Sequence, residues 1–102
     1  MEIVETHVFH KQVKQLLDEI TYEEFKIYLI CNPQNGKLIK GGKGIKKIRW
    51  RKKNTGKRGG IRILHFQASE TRIYLLCCYA KNKSKNITKK QLKELAIFIE
   101  CL

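Results

Sequence analysis

Two apolar segments joined by a short polar turn constrain the fold of this chain more than any other feature. Residues 61–68 and 72–80 are dominated by aliphatic, aromatic and cysteine side chains, and only Ser69-Glu70-Thr71 separates them. Strand-forming runs with such a turn between them are typical of an antiparallel β-hairpin. Residues 45–51 are also rich in β-formers, although they carry many cations, and they predict a further strand.

Apolar residues at helical spacing flank these strands. They recur through residues 9–20, 25–29 and 92–102, which predicts two helices before the strands and one after them. Residues 3–8 alternate loosely and predict an edge strand. The resulting order, β-α-α-β-β-β-α, indicates an α+β fold with a small antiparallel sheet and its helices packed on one face. A length of 102 residues with 42% hydrophobic composition fits a single domain spanning residues 1–102.

Two helix starts carry a capping pattern. Thr21 and Glu24 have the spacing of a capping box, in which a hydroxyl and a carboxyl or amide group satisfy free backbone amides. Thr88 and Gln91 repeat this spacing, so the pattern predicts that one helix begins at Thr21 and another at Thr88. Asn32-Pro33 predicts the end of the earlier helix, because the residue before a proline is disfavoured in the helical region.

The charges of the chain are distributed unevenly along it. The formal net charge is +13, yet residues 1–24 hold six acids and two lysines, a balance of −4, so the remainder holds +17. No acid occurs from Phe25 to Ser69, and residues 37–62 contain twelve Lys or Arg. Crowded cations repel one another, and a bound polyanion relieves that repulsion. A surface that is merely solvated does not need so many cations without acids. The apolar content of the chain excludes a disordered basic tail. The pattern therefore predicts nucleic-acid binding.

Most of these cations are expected to contact phosphates rather than to take part in chemistry. The residues predicted to bind RNA in this way are Lys46, Lys47, Arg49, Arg51, Lys52, Lys53, Lys57, Arg58 and Lys85. Trp50 and Tyr74 could stack on bases, although packing in the core is the simpler interpretation of both.

Neither a membrane nor an oxidising compartment is indicated. No apolar run approaches the length of about 20 residues that crosses a bilayer, and the acidic start Met1–Glu5 is unlike a secretory signal. The cysteines contain no Cys-x-x-Cys pair and are interpreted as small hydrophobic residues of a reducing compartment; they are Cys31, Cys77, Cys78 and Cys101. The expectation is a cytoplasmic protein.

The motifs leave several chemistries unsupported. Gly42-Lys43-Gly44 lacks the third glycine of a dinucleotide-binding fingerprint, and Gly56-Lys57-Arg58 lacks the Ser or Thr of a nucleotide-triphosphate loop. The basic part of the chain has only the carboxylates of Glu70, Glu94 and Glu100, whereas a metal-dependent nuclease normally holds its cation with carboxylates. The histidines have no ligand spacing with the cysteines. The expected chemistry is therefore independent of metals and cofactors.

What remains is a phosphate site built from cations, imidazole and phenol. Cleavage of RNA through its own 2′-hydroxyl needs a group to take that proton, a cation for the charge on phosphorus, and an acid for the leaving 5′-oxygen. A hairpin would place Arg62, near the start of one strand, beside Tyr79 at the end of the next. Arginine keeps its proton and suits stabilisation of the charge on phosphorus. Histidine has an unperturbed pKa of about 6.5 and therefore suits proton transfer. The candidate catalytic residues are Arg62, His65, Tyr79, Lys81 and Lys83.

Two of these candidates also have a structural interpretation. His65 fits a buried histidine of an apolar strand, and Tyr79 fits an aromatic residue at the edge of the core. Arg62 stands among isoleucine and leucine residues, where nothing structural calls for a charge, so a functional role is favoured for it.

Several short segments occur here in an order and spacing that are typical of one protein family. They are Gly44-Ile45-Lys46-Lys47-Ile48-Arg49-Trp50, Gly56-Lys57-Arg58-Gly59-Gly60-Ile61-Arg62, Arg72-Ile73-Tyr74-Leu75-Leu76, Tyr79-Ala80-Lys81-Asn82 and Ile87-Thr88. Each segment alone is unspecific. Taken together, and over nearly the full chain, they resemble the HigB-like branch of the RelE superfamily of type II toxins.

The resemblance implies a small α+β protein that cleaves mRNA without a metal, usually in the ribosomal A site. It also implies an antitoxin that holds the protein inactive and that in this branch is often a helix-turn-helix DNA-binding protein. By the same resemblance, Arg62 matches the arginine that contacts the scissile phosphate, and Lys57 matches a basic position ahead of it. Lys81 or Lys83 matches the basic residues beyond the last strand. Many members have tyrosine where His65 stands, and the acid–base role stays open between His65 and Tyr79.

The sequence therefore predicts a ribosome-associated mRNA endoribonuclease toxin. Its expected partners are mRNA, ribosomal RNA and a cognate antitoxin, and no membrane. The alternative is a non-catalytic basic RNA-binding module, or a toxin homologue that has lost its activity. The alternative shares the charge but requires no particular residue.

Overall fold

The computed structural model describes residues 1–51, 60–81 and 87–102. Along them the elements are β1 (Glu2–Glu5), α1 (His7–Leu16), α2 (Glu19–Cys31), β2 (Lys37–Leu38), β3 (Lys46–Arg51), β4 (Gly60–Ser69), β5 (Arg72–Ala80) and α3 (Lys89–Glu100). Some predicted site residues lie outside the described residues, namely Lys52, Lys53, Lys57, Arg58, Lys83 and Lys85.

The strands form a five-stranded sheet in the order β1-β5-β4-β3-β2. β4 and β5 form the predicted hairpin, and β3 pairs antiparallel with the other side of β4. β1 lies parallel to β5, and the short β2 adds an edge strand beside β3 that was not predicted. The predicted α+β class is confirmed, with a mixed sheet in place of a wholly antiparallel one. The reason is that the chain crosses from the β1 edge to the β2 edge through α1 and α2, so no hairpin fixes the direction of β1.

Helices cover both faces of the sheet, so the expectation that they pack on one face is wrong. On the face that we call the α1–α2 face, a buried cluster joins Phe9, Val13, Leu17, Phe25 and Leu29 to Ile48, Ile61, Ile63, Ile73, Leu75 and Cys78. On the opposite face, called the α3 face, Ile45, Leu64 and Leu76 pack with Leu92, Leu95 and Ile99 of α3. Because β4 and β5 carry apolar residues at both odd and even positions, both of their faces need cover.

Trp50 and Tyr74 belong to the packing on the sheet, as expected. The Trp50 ring lies 5.3 Å from that of Phe25 and 5.2 Å from that of Tyr28, between centroids. Tyr74 packs edge-on against Phe98 of α3 at 6.0 Å. Trp50 thereby ties β3 to α2, and Tyr74 ties β5 to α3.

The helix ends follow local capping chemistry. Thr88 forms the predicted capping box with Gln91 at the start of α3. α2 begins earlier than predicted, because Asp18 is its N-cap and the Asp18 carboxylate accepts a hydrogen bond from the Thr21 amide at 2.7 Å. α2 ends before Asn32-Pro33, as expected. Within the described residues, no helix has the length and apolar character needed to span a bilayer.

Candidate active site

A row of polar side chains crosses the α3 face of the sheet. Arg49 of β3 pairs with Arg62 of β4, and Arg62 pairs with Tyr79 of β5. Directly paired residues of antiparallel strands point to the same face, with Cβ atoms about 5 Å apart. Tyr79 packs against the apolar cluster beneath α3, which places the whole Arg49–Arg62–Tyr79 row on the α3 face. The neighbourhood of Arg62 and Tyr79 expected from the hairpin is confirmed.

Strand alternation brings further cations to the same face. Lys47 and Arg51 flank Arg49 at alternate positions of β3, and Lys81 stands at the alternate position beyond Tyr79. The Lys81 amide donates a hydrogen bond to the Gly60 carbonyl oxygen at 3.4 Å, so the chain still runs beside β4 there. The structure therefore gathers Lys47, Arg49, Arg51, Arg62, Tyr79 and Lys81, which are residues singled out from the sequence, on one face.

The two arginines of the row converge over Gly60. A Cβ atom added to Gly60 would lie 3.4 Å from Nη1 of Arg62 and 3.7 Å from Nε of Arg49. Both guanidinium groups thus approach the same point, where glycine has no side chain to occupy the space. Arg49 was expected only as a phosphate contact. No sequence motif signals their convergence, which depends on the register of β3 against β4.

No carboxylate neutralises these arginines within the described part of the chain. Ion pairs there include Lys26 with Glu23, Lys43 with Glu100 and Arg72 with Glu2, but none includes Arg49 or Arg62. Nη1 of Arg62 is buried and has no hydrogen-bond partner among the described residues. A buried polar donor without a partner is costly. An anion held by the two guanidinium groups would satisfy this donor.

Tyr79 keeps its phenolic proton at neutral pH. Burial raises the pKa of Tyr79 above 10.0, as does the nearby Cys77, while the charge of Arg62 and the backbone of Ile87 act in the opposite direction. The hydroxyl makes no hydrogen bond of standard geometry within the described residues. A protonated phenol beside a guanidinium can donate to a phosphate oxygen or to a leaving oxygen, so the geometry suits an acid better than a base.

The structure does not bring His65 to this row. His65 lies three residues after Arg62 in β4, which places it on the opposite, α1–α2 face beside Lys46. It is 1% exposed, and its Nε2 donates a hydrogen bond to the Asn35 carbonyl oxygen at 3.0 Å. The Lys46 ammonium likewise donates to the Gln34 carbonyl oxygen at 2.8 Å. The catalytic role expected for His65 and the phosphate contact expected for Lys46 stay predictions, and in this structure both side chains bind the segment that follows α2.

A comparison with known protein families identifies the group to which this fold and surface belong. The family model described as RelE toxin of RelE / RelB toxin-antitoxin system matches residues 1–100. The chain belongs to the RelE toxin family. It is accordingly a toxin of a toxin–antitoxin system, and the family implies an antitoxin as its partner.

Two cysteines of this RelE toxin, Cys77 and Cys78, pack in the fold, whereas Cys31 and Cys101 are exposed. Burial raises the pKa of Cys77 to about 11 and that of Cys78 to about 12, so both thiols stay protonated at neutral pH. In the described part of the chain, no cluster of three His, Cys, Asp or Glu residues is placed to hold a metal ion. The Arg49–Arg62–Tyr79 row offers guanidinium groups and a phenol to a phosphate.

The buried imidazole of His65 makes the stability of this RelE toxin depend on pH. Burial lowers the pKa of His65 below 6.5, and the charge of Lys46 lowers it further, against the effect of the hydrogen bond to Asn35. A second ring proton would sit on Nδ1, which is buried without an acceptor among the described residues. The fold favours the neutral ring, so its contribution to stability is complete above the unfolded pKa of about 6.5 and is lost as the pH falls below it.

We expect the urea midpoint of unfolding to fall between about pH 7.5 and about pH 5.5, a window above the range in which most carboxylates titrate. His65→Gln keeps a donor for the Asn35 carbonyl but cannot be protonated, and its midpoint should depend less on pH. The same fall in both proteins would assign the effect to other groups.

Proposed function

We propose that this toxin is an endoribonuclease that cleaves mRNA on the ribosome without a metal, and that it belongs to the HigB-like branch of its family. The observation that carries the proposal is the convergence of Arg49 and Arg62 over Gly60 with no carboxylate paired to either among the described residues. Guanidinium groups are planar, permanently charged donors that match the oxygens of a phosphate. The membership of the chain in a toxin family supports the same proposal.

The proposed reaction uses the nucleophile of the RNA itself. The 2′-oxygen attacks the adjacent phosphorus, and the bond from phosphorus to the 5′-oxygen of the next nucleotide breaks. The products are a 2′,3′-cyclic phosphate and a free 5′-hydroxyl. Two roles are needed from the protein, stabilisation of the charge that builds on the phosphate oxygens and proton transfer at the two hydroxyls.

Each role has a candidate on the α3 face. Arg62, with Arg49 beside it, binds the phosphate and stabilises the transition-state charge. Tyr79 donates its proton to the leaving 5′-oxygen, because burial keeps that phenol protonated. Lys81, together with Lys83, assists proton transfer at the 2′-hydroxyl or adds to the charge stabilisation. His65 has no part in this scheme, since its only described hydrogen bond is to Asn35 on the other face.

The remaining cations are proposed to hold RNA on either side of the scissile phosphate. Lys47 and Arg51 flank Arg49 on the same strand, and Lys52, Lys53, Lys57, Arg58 and Lys85 belong to the same proposal. Binding through many phosphates weakens steeply with salt. We propose that the RNA is mRNA with ribosomal RNA beside it, that the toxin acts in the cytoplasm, and that its antitoxin is a helix-turn-helix protein.

Toeprinting on programmed ribosomes tests the proposal. We expect the wild-type toxin to create new mRNA ends within the A-site codon, and to do so equally well after the toxin has been dialysed against a chelator before it is added to the ribosomes. The same mRNA without ribosomes should stay largely intact. Tight binding to ribosomes with no new mRNA end would instead assign the toxin to the non-catalytic class of RNA-binding proteins.

A further inference from the structure

A cleft beside Tyr79 lies at the edge of the sheet, between α1, β5 and α3. β1 pairs with β5 only as far as Leu75, so among the described residues the later part of β5 has no neighbouring strand on that side. Side chains form hydrogen bonds with the backbone groups of this edge instead. The Thr6 hydroxyl donates to the Leu76 carbonyl oxygen at 2.8 Å, and the Gln12 side-chain oxygen accepts from the Cys78 amide at 2.8 Å. The end of pairing with β1 leaves space for the cleft.

The cleft has the size and the lining of a small-molecule site. Its volume is about 510 Å³, within the range of roughly 300–1,000 Å³ that is typical of ligand pockets. Its walls include Val8, Leu95 and Phe98, and Tyr79 is also part of the lining. Val8 is 55% exposed and Phe98 is 37% exposed, so apolar side-chain surface at the cleft is open to a ligand.

The position of the cleft relative to the arginines suggests its occupant. Across the α3 face the order is Arg49, Arg62, Tyr79 and then the cleft, with Tyr79 shared between the row and the cleft. A nucleotide has the same two halves, an anionic phosphate and a flat base with apolar faces. Single-stranded RNA is recognised when its bases leave the stack and pack against aromatic side chains.

We propose that this cleft binds the base of a nucleotide adjacent to the scissile phosphate, an inference that rests on the proposed function of the Arg49–Arg62–Tyr79 row. The phosphate lies on the arginines, and the base enters between Tyr79 and Phe98. Glu94 is in the lining of the cleft, and its charge opposes a phosphate there but not a neutral base. The cleft is thus a specificity subsite that selects which codons are cut.

Polar groups at the cleft can distinguish one base from another through hydrogen bonds. Gln91 lines it, and the Gln91 side-chain oxygen is already engaged by the Thr88 amide at 3.0 Å. Its NH₂ group is then the end that can turn to a base, as a hydrogen-bond donor to a ring nitrogen or carbonyl. His7 also lines the cleft, and its imidazole ring provides further polar atoms there.

The test measures how cleavage depends on the base. Ribosomes are programmed with mRNAs in which each nucleotide of the A-site codon is replaced in turn by an abasic nucleotide. For the wild-type toxin, we expect one abasic position to reduce the cleavage rate by about tenfold, the effect of losing one stacked base. Phe98→Ala should cut the normal mRNA about tenfold more slowly and should no longer distinguish it from that abasic mRNA.

Two further variants separate the cleft from general packing. Val8→Glu introduces a charge at an exposed helical position of the same cleft without removing a core group, and it should reproduce the loss of discrimination. Ile97→Ala changes the neighbouring residue of α3, which is 58% exposed and is not part of this cleft, and it should behave as wild type.

The possible outcomes distinguish failure of this inference from failure of the proposed function on which it rests. Failure of the wild-type toxin to cut any normal mRNA would overturn both. Cleavage that is indifferent to every abasic position, or discrimination retained in Phe98→Ala and Val8→Glu, would overturn the base subsite alone. Normal discrimination combined with loss of antitoxin binding in these variants would make the cleft a docking surface for the antitoxin, and that too would overturn it.

Discussion

Replacing Arg62 with alanine is expected to slow cleavage of ribosome-bound mRNA by about 10²- to 10³-fold, the usual effect of removing one donor that stabilises transition-state charge. The substitution removes a half-buried cation whose buried Nη1 has no partner among the described residues, so the free energy of unfolding should not fall. The measurement is single-turnover cleavage on programmed ribosomes, with unfolding followed in urea. In cells, the same variant should relieve growth arrest.

Two variants make the Arg62 result specific. Arg62→Lys keeps the charge but replaces a planar fork with a point charge, so it should retain an intermediate rate. Arg72→Ala removes an exposed arginine at the other end of the hairpin, where its Nε is paired with Glu2 at 2.7 Å, and cleavage should be unchanged. A folded Arg62→Ala protein that cuts at the wild-type rate would refute the mechanism.

Replacing Phe25 with alanine is expected to lower the free energy of unfolding by about 3–5 kcal/mol, the usual cost of deleting a buried phenyl group. Phe25 is 0% exposed and packs its ring on Trp50 at 5.3 Å between centroids. The loss therefore combines transfer of the ring to water with a cavity between α2 and β3. For a domain of this size, such a loss approaches the whole stability.

The matched control for Phe25 lies on the same helix. Ile27 is 61% exposed, and Ile27→Ala should change the free energy of unfolding by no more than about 0.5 kcal/mol. Denaturant unfolding of the two variants, read by the fluorescence of Trp50, gives the comparison directly. Similar losses in both variants would contradict the packing described here.

Local rules predicted the parts of the fold that depend on neighbouring residues. The short turn at residues 69–71 specified the hairpin, and with it the closeness of Arg62 and Tyr79. Thr88 and Gln91 marked the start of α3 through hydrogen bonds that span a single turn. The start of α2 was predicted at Thr21, but Asp18 is its N-cap; both residue types are good caps, and the local sequence does not distinguish them.

Features that depend on distant parts of the chain were not predicted. The parallel direction of β1 and the position of α3 on the face opposite α1 and α2 follow from how the chain crosses the sheet, which no local pattern encodes. One signal was available and was not used. Ile63 and Leu64 are adjacent, buried and on opposite faces, and a strand with both faces apolar requires cover on both.

The candidate site likewise has features that the local sequence predicts and features that depend on distant parts of the chain. Alternation along β4 already separates His65 from Arg62, because the two residues are three positions apart and an odd spacing puts side chains on opposite faces of a strand. The convergence of Arg49 and Arg62 over Gly60 depends on the register between β3 and β4. The sequence pattern of the two strands does not by itself specify that register.

The separation of the arginine row from the cluster on the α1–α2 face has a consequence for how such a gene changes over generations. Phe9, Phe25 and Ile63 hold the chain together from one side of the strands, whereas Arg49 and Arg62 project from the other. With this row as the proposed active site, we expect a substitution in it to silence the toxin and still leave a folded chain. Cells that escape by such a mutation would therefore carry an intact, harmless protein, and later substitutions on the same face could give it a new preference among codons.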